Sequence, residues 1–194
     1  MTARLSVCSH ALGLLLLASP LASADRFELR HQPLVIPERG TVTSTVIVAE
    51  QYEFSFVPPT GWRYEFDAKG RKITFFCYES NAAIGLRIVS RVNPAPDPLD
   101  RGALRRRVLG QFPGARIRAE CDCYASDGSG PAFDLEETRA NRPKWVRRLA
   151  FVPFPGGVLE FSLFAGPSEF DRFLESFGEL LTSFRVRAIG RASR

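Results

Sequence analysis

The chain has 194 residues, 45% of them hydrophobic, with 26 basic and 21 acidic side chains and a net charge of +5. That length supports one domain with a real core. Two histidines in the whole chain exclude any centre built on a histidine cluster.

Residues 1–24 have the form of a signal peptide: Arg4, an apolar core at Ala11–Ala18, and the small residues Ala22 and Ala24. The apolar run is too short to span a bilayer, which takes about 20 residues. Cys8 precedes that core, so it is badly placed for lipidation. Cleavage after Ala24 and export to a periplasmic or extracellular space are expected. No later segment is long and apolar enough to cross a membrane.

Asp25–Arg39, with Pro33 and Pro37, reads as an irregular arm leading to an edge strand at Thr41–Ala49. Tyr52, Phe54 and Phe56 alternate with polar residues as a half-buried strand, which stops at Pro58-Pro59. Thr60-Gly61-Trp62 turns the chain into Arg63–Phe66, and Asp67–Gly70 forms a second turn. Lys72–Tyr78 is apolar on both faces, as a central strand is, and Ala83–Arg91 follows. The prolines of Val92–Pro98 break the pattern. Leu99–Phe112 then changes period, with Leu104, Val108, Leu109 and Phe112 on one helical stripe and Arg101, Arg105, Arg106 and Arg107 on the other faces. Ile117, Ala119, Cys121 and Cys123 alternate with charged residues in a strand buried on one side. Another strand runs through Phe133 and Leu135, where Asp134 and Glu136 read as a solvated face. Trp145–Phe154 and Val158–Ala165 make a hairpin. Ser168–Phe184 is the most apolar helix, its stripe formed by Phe170, Phe173, Leu174, Phe177, Leu180, Leu181 and Phe184, and Ser168 with Asp171 resembles a capping box.

The order points to an α+β domain, an antiparallel sheet flanked by two main helices. The expected division is a signal peptide at 1–24, an arm and edge strand at 25–49, the domain at 50–186 and a basic tail at 187–194. Phe54-Ser55-Phe56-Val57-Pro58 followed by Gly61-Trp62, the mid-chain helix ending at Phe112-Pro113-Gly114, and the ending Phe177–Val186 resemble the PsbP/Mog1/DcrB-type α/β/α sandwich. The resemblance covers about Tyr52 to Val186. It implies a non-enzymatic subunit, envelope protein or binding factor, and supplies no catalytic residue to carry over.

The residues themselves show little chemistry. A Ser-His-Asp or Cys-His site would have to use His31, and no nucleophile elbow, phosphate loop or zinc-protease motif occurs. Cys77, Cys121 and Cys123 are the sharpest candidates: free buried thiols, a disulfide from Cys77 to either of the others, or a soft-metal site. Arg105–Arg107 with Arg139, Arg142, Arg147 and Arg148 form either an anion-binding patch or an ordinary solvated face. These readings favour an exported binding or accessory protein of the cell envelope, with no cofactor and no nucleic-acid partner, and monomeric. Its partner is an envelope protein or an anionic surface, met by an aromatic–basic region of Trp62, Trp145, Arg147 and Arg148. The alternatives are a thiol-redox or metal protein using Cys121 and Cys123, and a small-ligand carrier with a pocket between sheet and helix.

Overall fold

The computed structural model describes residues 26–37, 40–90, 100–137 and 144–189. The expected signal peptide, Arg139, Arg142 and the last residues of the basic tail lie outside the described residues. In chain order the elements are β1 (Phe27–Ile36), β2 (Gly40–Ala49), β3 (Tyr52–Phe56), β4 (Trp62–Asp67), β5 (Lys72–Cys77), β6 (Ala83–Ser90), α1 (Arg101–Gln111), β7 (Ala115–Ala125), β8 (Gly128–Glu137), β9 (Trp145–Phe154), β10 (Gly157–Ala165), α2 (Phe170–Ser183) and β11 (Arg185–Ala188).

The strands form two sheets, a four-stranded one ordered β1-β2-β3-β11 and a seven-stranded one ordered β4-β5-β6-β10-β9-β8-β7. Every pairing is antiparallel. The fold is therefore strand-dominated, which overturns the expected single sheet between two main helices. Two pairings make the difference. Phe27–Ile36 is a strand bonded to β2 along its whole length, where an irregular arm was expected, and Arg185–Ala188 returns to pair with β3. Together they turn the N-terminal strands into a second sheet, which shares one face of the larger sheet with α2.

Phe184 joins these layers. It stacks on Phe56 at 5.5 Å, meets Phe161 edge-on at 5.2 Å and leans on Phe54 at 6.1 Å, so one ring touches both sheets. Phe170, Phe173, Phe177, Leu180 and Leu181 of α2 are buried beside it, as their spacing predicts. The helix begins one residue later than the expected capping box implies: its N-cap is Glu169, and no side chain caps it. Burial of the phenylalanine stripe holds this end in place.

The other face of the large sheet carries α1. Asp100 caps it, its side chain accepting from the Ala103 amide. Leu104 and Val108 pack on Phe133, Leu135, Leu149, Phe151 and Val158, a second and smaller core. Arg101, Arg105 and Arg107 reach down to Asp122, Glu120 and Glu160, so three of the helix's arginines clamp it to the sheet. No helix among the described residues is long and apolar enough to cross a membrane.

Candidate functional site

Strand alternation sorts the candidate residues onto two faces. On β9, Val146, Arg148 and Ala150 point toward α2, while Trp145, Arg147 and Leu149 point toward α1. Arg148 thus leaves the expected patch. Its Nε and Nη2 donate to the two carboxylate oxygens of Asp134 at 2.6 and 2.7 Å, and its guanidinium lies 5.9 Å from the Phe170 ring. Asp134 holds that guanidinium above its ordinary pKa. The expected solvated face at Asp134 is overturned: the residue is 6% exposed, and its cross-strand neighbour is Arg148 itself. Trp62 also faces α2, its indole edge-on to Phe173 at 5.4 Å.

Cys77, Cys121 and Cys123 are free thiols. Four strands of the large sheet stand between β5, which carries Cys77, and β7, which carries Cys121 and Cys123. Among the described residues, no group of three or more metal-ligating side chains gathers. Cys123 is buried and donates to the Gly130 carbonyl, and its burial pushes the thiol pKa up. A thiol in that setting stays protonated and unreactive.

What remains on the α1 face is a connected stack. Trp145 lies on Phe164 at 4.3 Å with the rings 22° apart. Arg147 sits between Phe164 and Phe112, its guanidinium 4.8 and 4.6 Å from the two ring centres. Its Nε donates to Glu137 at 3.3 Å. Phe164 pairs in register with Arg147 on one side and Ala83 on the other, and the same row continues through Phe76 to Arg63, whose guanidinium is 5.4 Å from the Phe76 ring. All four members of the stack are half-exposed. Strands hold the first three and the C-cap of α1 holds Phe112, so the arrangement is rigid.

Next to Arg147 a recess opens between α1 and the sheet, with a volume of about 140 Å³. Gly85 and Ser162, opposite each other in register, form its floor, and Lys72, Arg87, Gln111 and Glu160 form its walls. Glu160 is 8% exposed and accepts from Arg87 at 2.7 Å and from Arg107 at 3.1 Å. Sequence reasoning missed Phe112, Phe164 and Arg87. The available signal was Gly85, a glycine inside a strand pattern, which marks close approach.

By sequence, no family model and no curated protein matches the chain. Among solved structures, CyanoP, the cyanobacterial PsbP of Synechocystis sp. PCC 6803, is similar with a TM-score of 0.51 and 12% identity, over 89% of this chain and 99% of that one. A Pseudomonas aeruginosa protein of unknown function gives 0.46 at 12% identity, over 84% and 99% of the two chains. LpqN of Mycobacterium tuberculosis, described as involved in cell envelope biogenesis, gives 0.44 at 11%, over 81% and 91%. The likeness to CyanoP carries the fold alone: it bears out the resemblance to PsbP-type chains, while the two sheets correct the sandwich of one sheet and two main helices expected with it.

Proposed function

We propose that this PsbP-type chain is a non-catalytic binding or accessory protein exported to the cell envelope, and that it docks its partner through the α1 face of the large sheet. The single observation carrying the docking surface is the half-exposed stack Trp145–Phe164–Arg147–Phe112. Tryptophan and arginine held rigidly in a desolvated setting are the residue types that dominate binding energy at protein interfaces. Cation–aromatic contacts of this kind contribute about 0.5–1 kcal/mol each while exposed, and more once a partner excludes water. Trp145, Phe164 and Arg147 lie beside the small α1-side core, and only Phe112 of the row packs against it. Acids on this face are tied to arginines, Glu160 to Arg87 and Arg107 and Glu137 to Arg147, which favours recognition over proton transfer. Export is supported by the form of residues 1–24.

The test is site-specific photo-crosslinking in the native host. A crosslinker at position 164 is expected to give one discrete adduct, lost with Arg147→Ala, while a crosslinker at Val35, 73% exposed on the small sheet, gives none. Equal adducts from both positions, or none from 164, would remove the proposed surface.

A further inference from the structure

We infer that the recess between α1 and the seven-stranded sheet is a binding site for one carboxylate group. This rests on the docking reading above only for the question of who supplies that carboxylate.

Four hydrogen-bonding groups line this small space without a partner among the described residues. The Arg87 Nε is buried and has no hydrogen-bond partner among the described residues, although its Nη2 donates to Glu160. Lys72, Gln111 and Ser162 line the same recess, and none has a hydrogen bond from its side chain to the protein among the described residues. A buried donor left unpaired is costly, so a native fold that keeps one points to an outside acceptor. Gly85 is what lets these groups converge. A Cβ there would lie 2.6 Å from the Ser162 hydroxyl and 3.7 Å from Cε of Lys72, so any larger residue would fill the floor.

Charge selects the ligand. Lys72, Arg87 and Arg147 outnumber Glu160 on the lining, and Arg107 also reaches Glu160 from above. The surplus is positive, which calls for an anion. Glu160 is itself one wall, so a dianion such as phosphate would face a fixed negative charge. A carboxylate carries one charge and about four lone-pair sites, matching the four unpartnered groups in number. At about 140 Å³ the recess is smaller than whole-ligand pockets, which run to roughly 300–1,000 Å³. It holds a group, and the rest of that molecule must lie outside, over the neighbouring stack. An aspartate or glutamate side chain of a docked protein meets that description, and so does a small free acid.

Acetate, a bare carboxylate, is the first probe, titrated at constant ionic strength against chloride and followed by NMR. Saturable shifts are expected at the Gly85 amide, the Arg87 Nε–H and the Gln111 side-chain amide. Lys72→Gln and Gln111→Ala, both at exposed positions, are expected to weaken binding about tenfold each while distant amides stay unmoved. Hexaglutamate binding more tightly than acetate, with hexaglutamine inert, would identify a protein side chain as the source; acetate and succinate equalling the peptide would identify a free small acid. Shifts that chloride reproduces, that fail to saturate, or that persist in both variants would overturn the site. Crosslinking at position 164 does not depend on acetate, so the recess and the docking surface fail separately.

Discussion

Asparagine in place of aspartate at position 134 isolates one charge in a buried pair. Asp134 is 6% exposed and accepts from Arg148 at 2.6 and 2.7 Å, two parallel bonds of the strong, charge-assisted kind. Asparagine keeps the shape but removes the charge and one acceptor, leaving the guanidinium without its counter-ion beside Phe170. Breaking a buried pair by removing one partner costs about 3–5 kcal/mol. The Arg148 side chain is 23% exposed, so water reaches part of it, and the expected loss is lower. A charged hydrogen bond of about 1.5–3 kcal/mol sets the scale, giving roughly 2–3 kcal/mol. In a chain of this size that lowers Tm by about 4–12 °C. Urea unfolding followed by circular dichroism measures it. The double variant Asp134→Leu with Arg148→Met replaces the pair by apolar groups and is expected to recover most of the loss. A single variant within about 0.5 kcal/mol of the parent, the ordinary range for a surface change, would refute the reasoning.

Phe184→Ala removes the ring shared by both sheets and is expected to cost about 3–5 kcal/mol, with Phe184→Leu well below that, by chemical denaturation. Equal losses would mean that the ring contacts do not matter. Glu50 accepts from Arg71 at 2.7 Å and from Ser90 at 2.9 Å, which holds its carboxyl below the ordinary value of 4.5. A depressed folded pKa stabilises above that value, and the gain is lost as pH falls through the folded one. Glu50 is 41% exposed, so the gain is small, and Glu50→Gln is expected to lower stability at neutral pH by at most about 1 kcal/mol. The gap should close as pH falls below the ordinary carboxyl value and through the lowered folded one, and a gap that persists in acid would exclude the ion pair as its cause. Alkylation of the native protein is expected to modify Cys77 and Cys121 before Cys123, whose thiol is held protonated by burial. Mass spectrometry of peptides checks the order, and equal rates would contradict the burial argument.

Local patterns located most elements because most elements bury one face locally. The β9–β10 hairpin and the α2 stripe follow directly from alternation and from the three-to-four spacing. β1 was invisible for a physical reason. Arg30, His31, Gln32 and Pro33 in succession erase period two, and the segment is a strand only because β2 bonds to it from Phe27↔Ala49 to Ile36↔Gly40. The two-sheet architecture is likewise a statement about partners, which no single segment records. The inward position of Arg148 is legible in its alternation with Val146 and Ala150, a period that outweighs its charge because Asp134 meets it across the strands. Of the site, Trp145 and Arg147 were in view from the sequence. Phe164 and Phe112 were not, because they reach the stack from another strand and from a helix end.

The return of β11 to β3 sets the timing of folding. Arg187 bonds to Glu53 across 134 residues of chain, and Asp127 holds the Val186 amide beside it. A chain emerging N-terminus first, from a ribosome or a translocation pore, must therefore leave the β3 edge of the small sheet bare until nearly all the rest has followed. Non-local pairings of this kind slow folding, and an unpaired strand edge invites strands of other molecules. In that interval the edge is open to other chains, and the four residues of β11 close it.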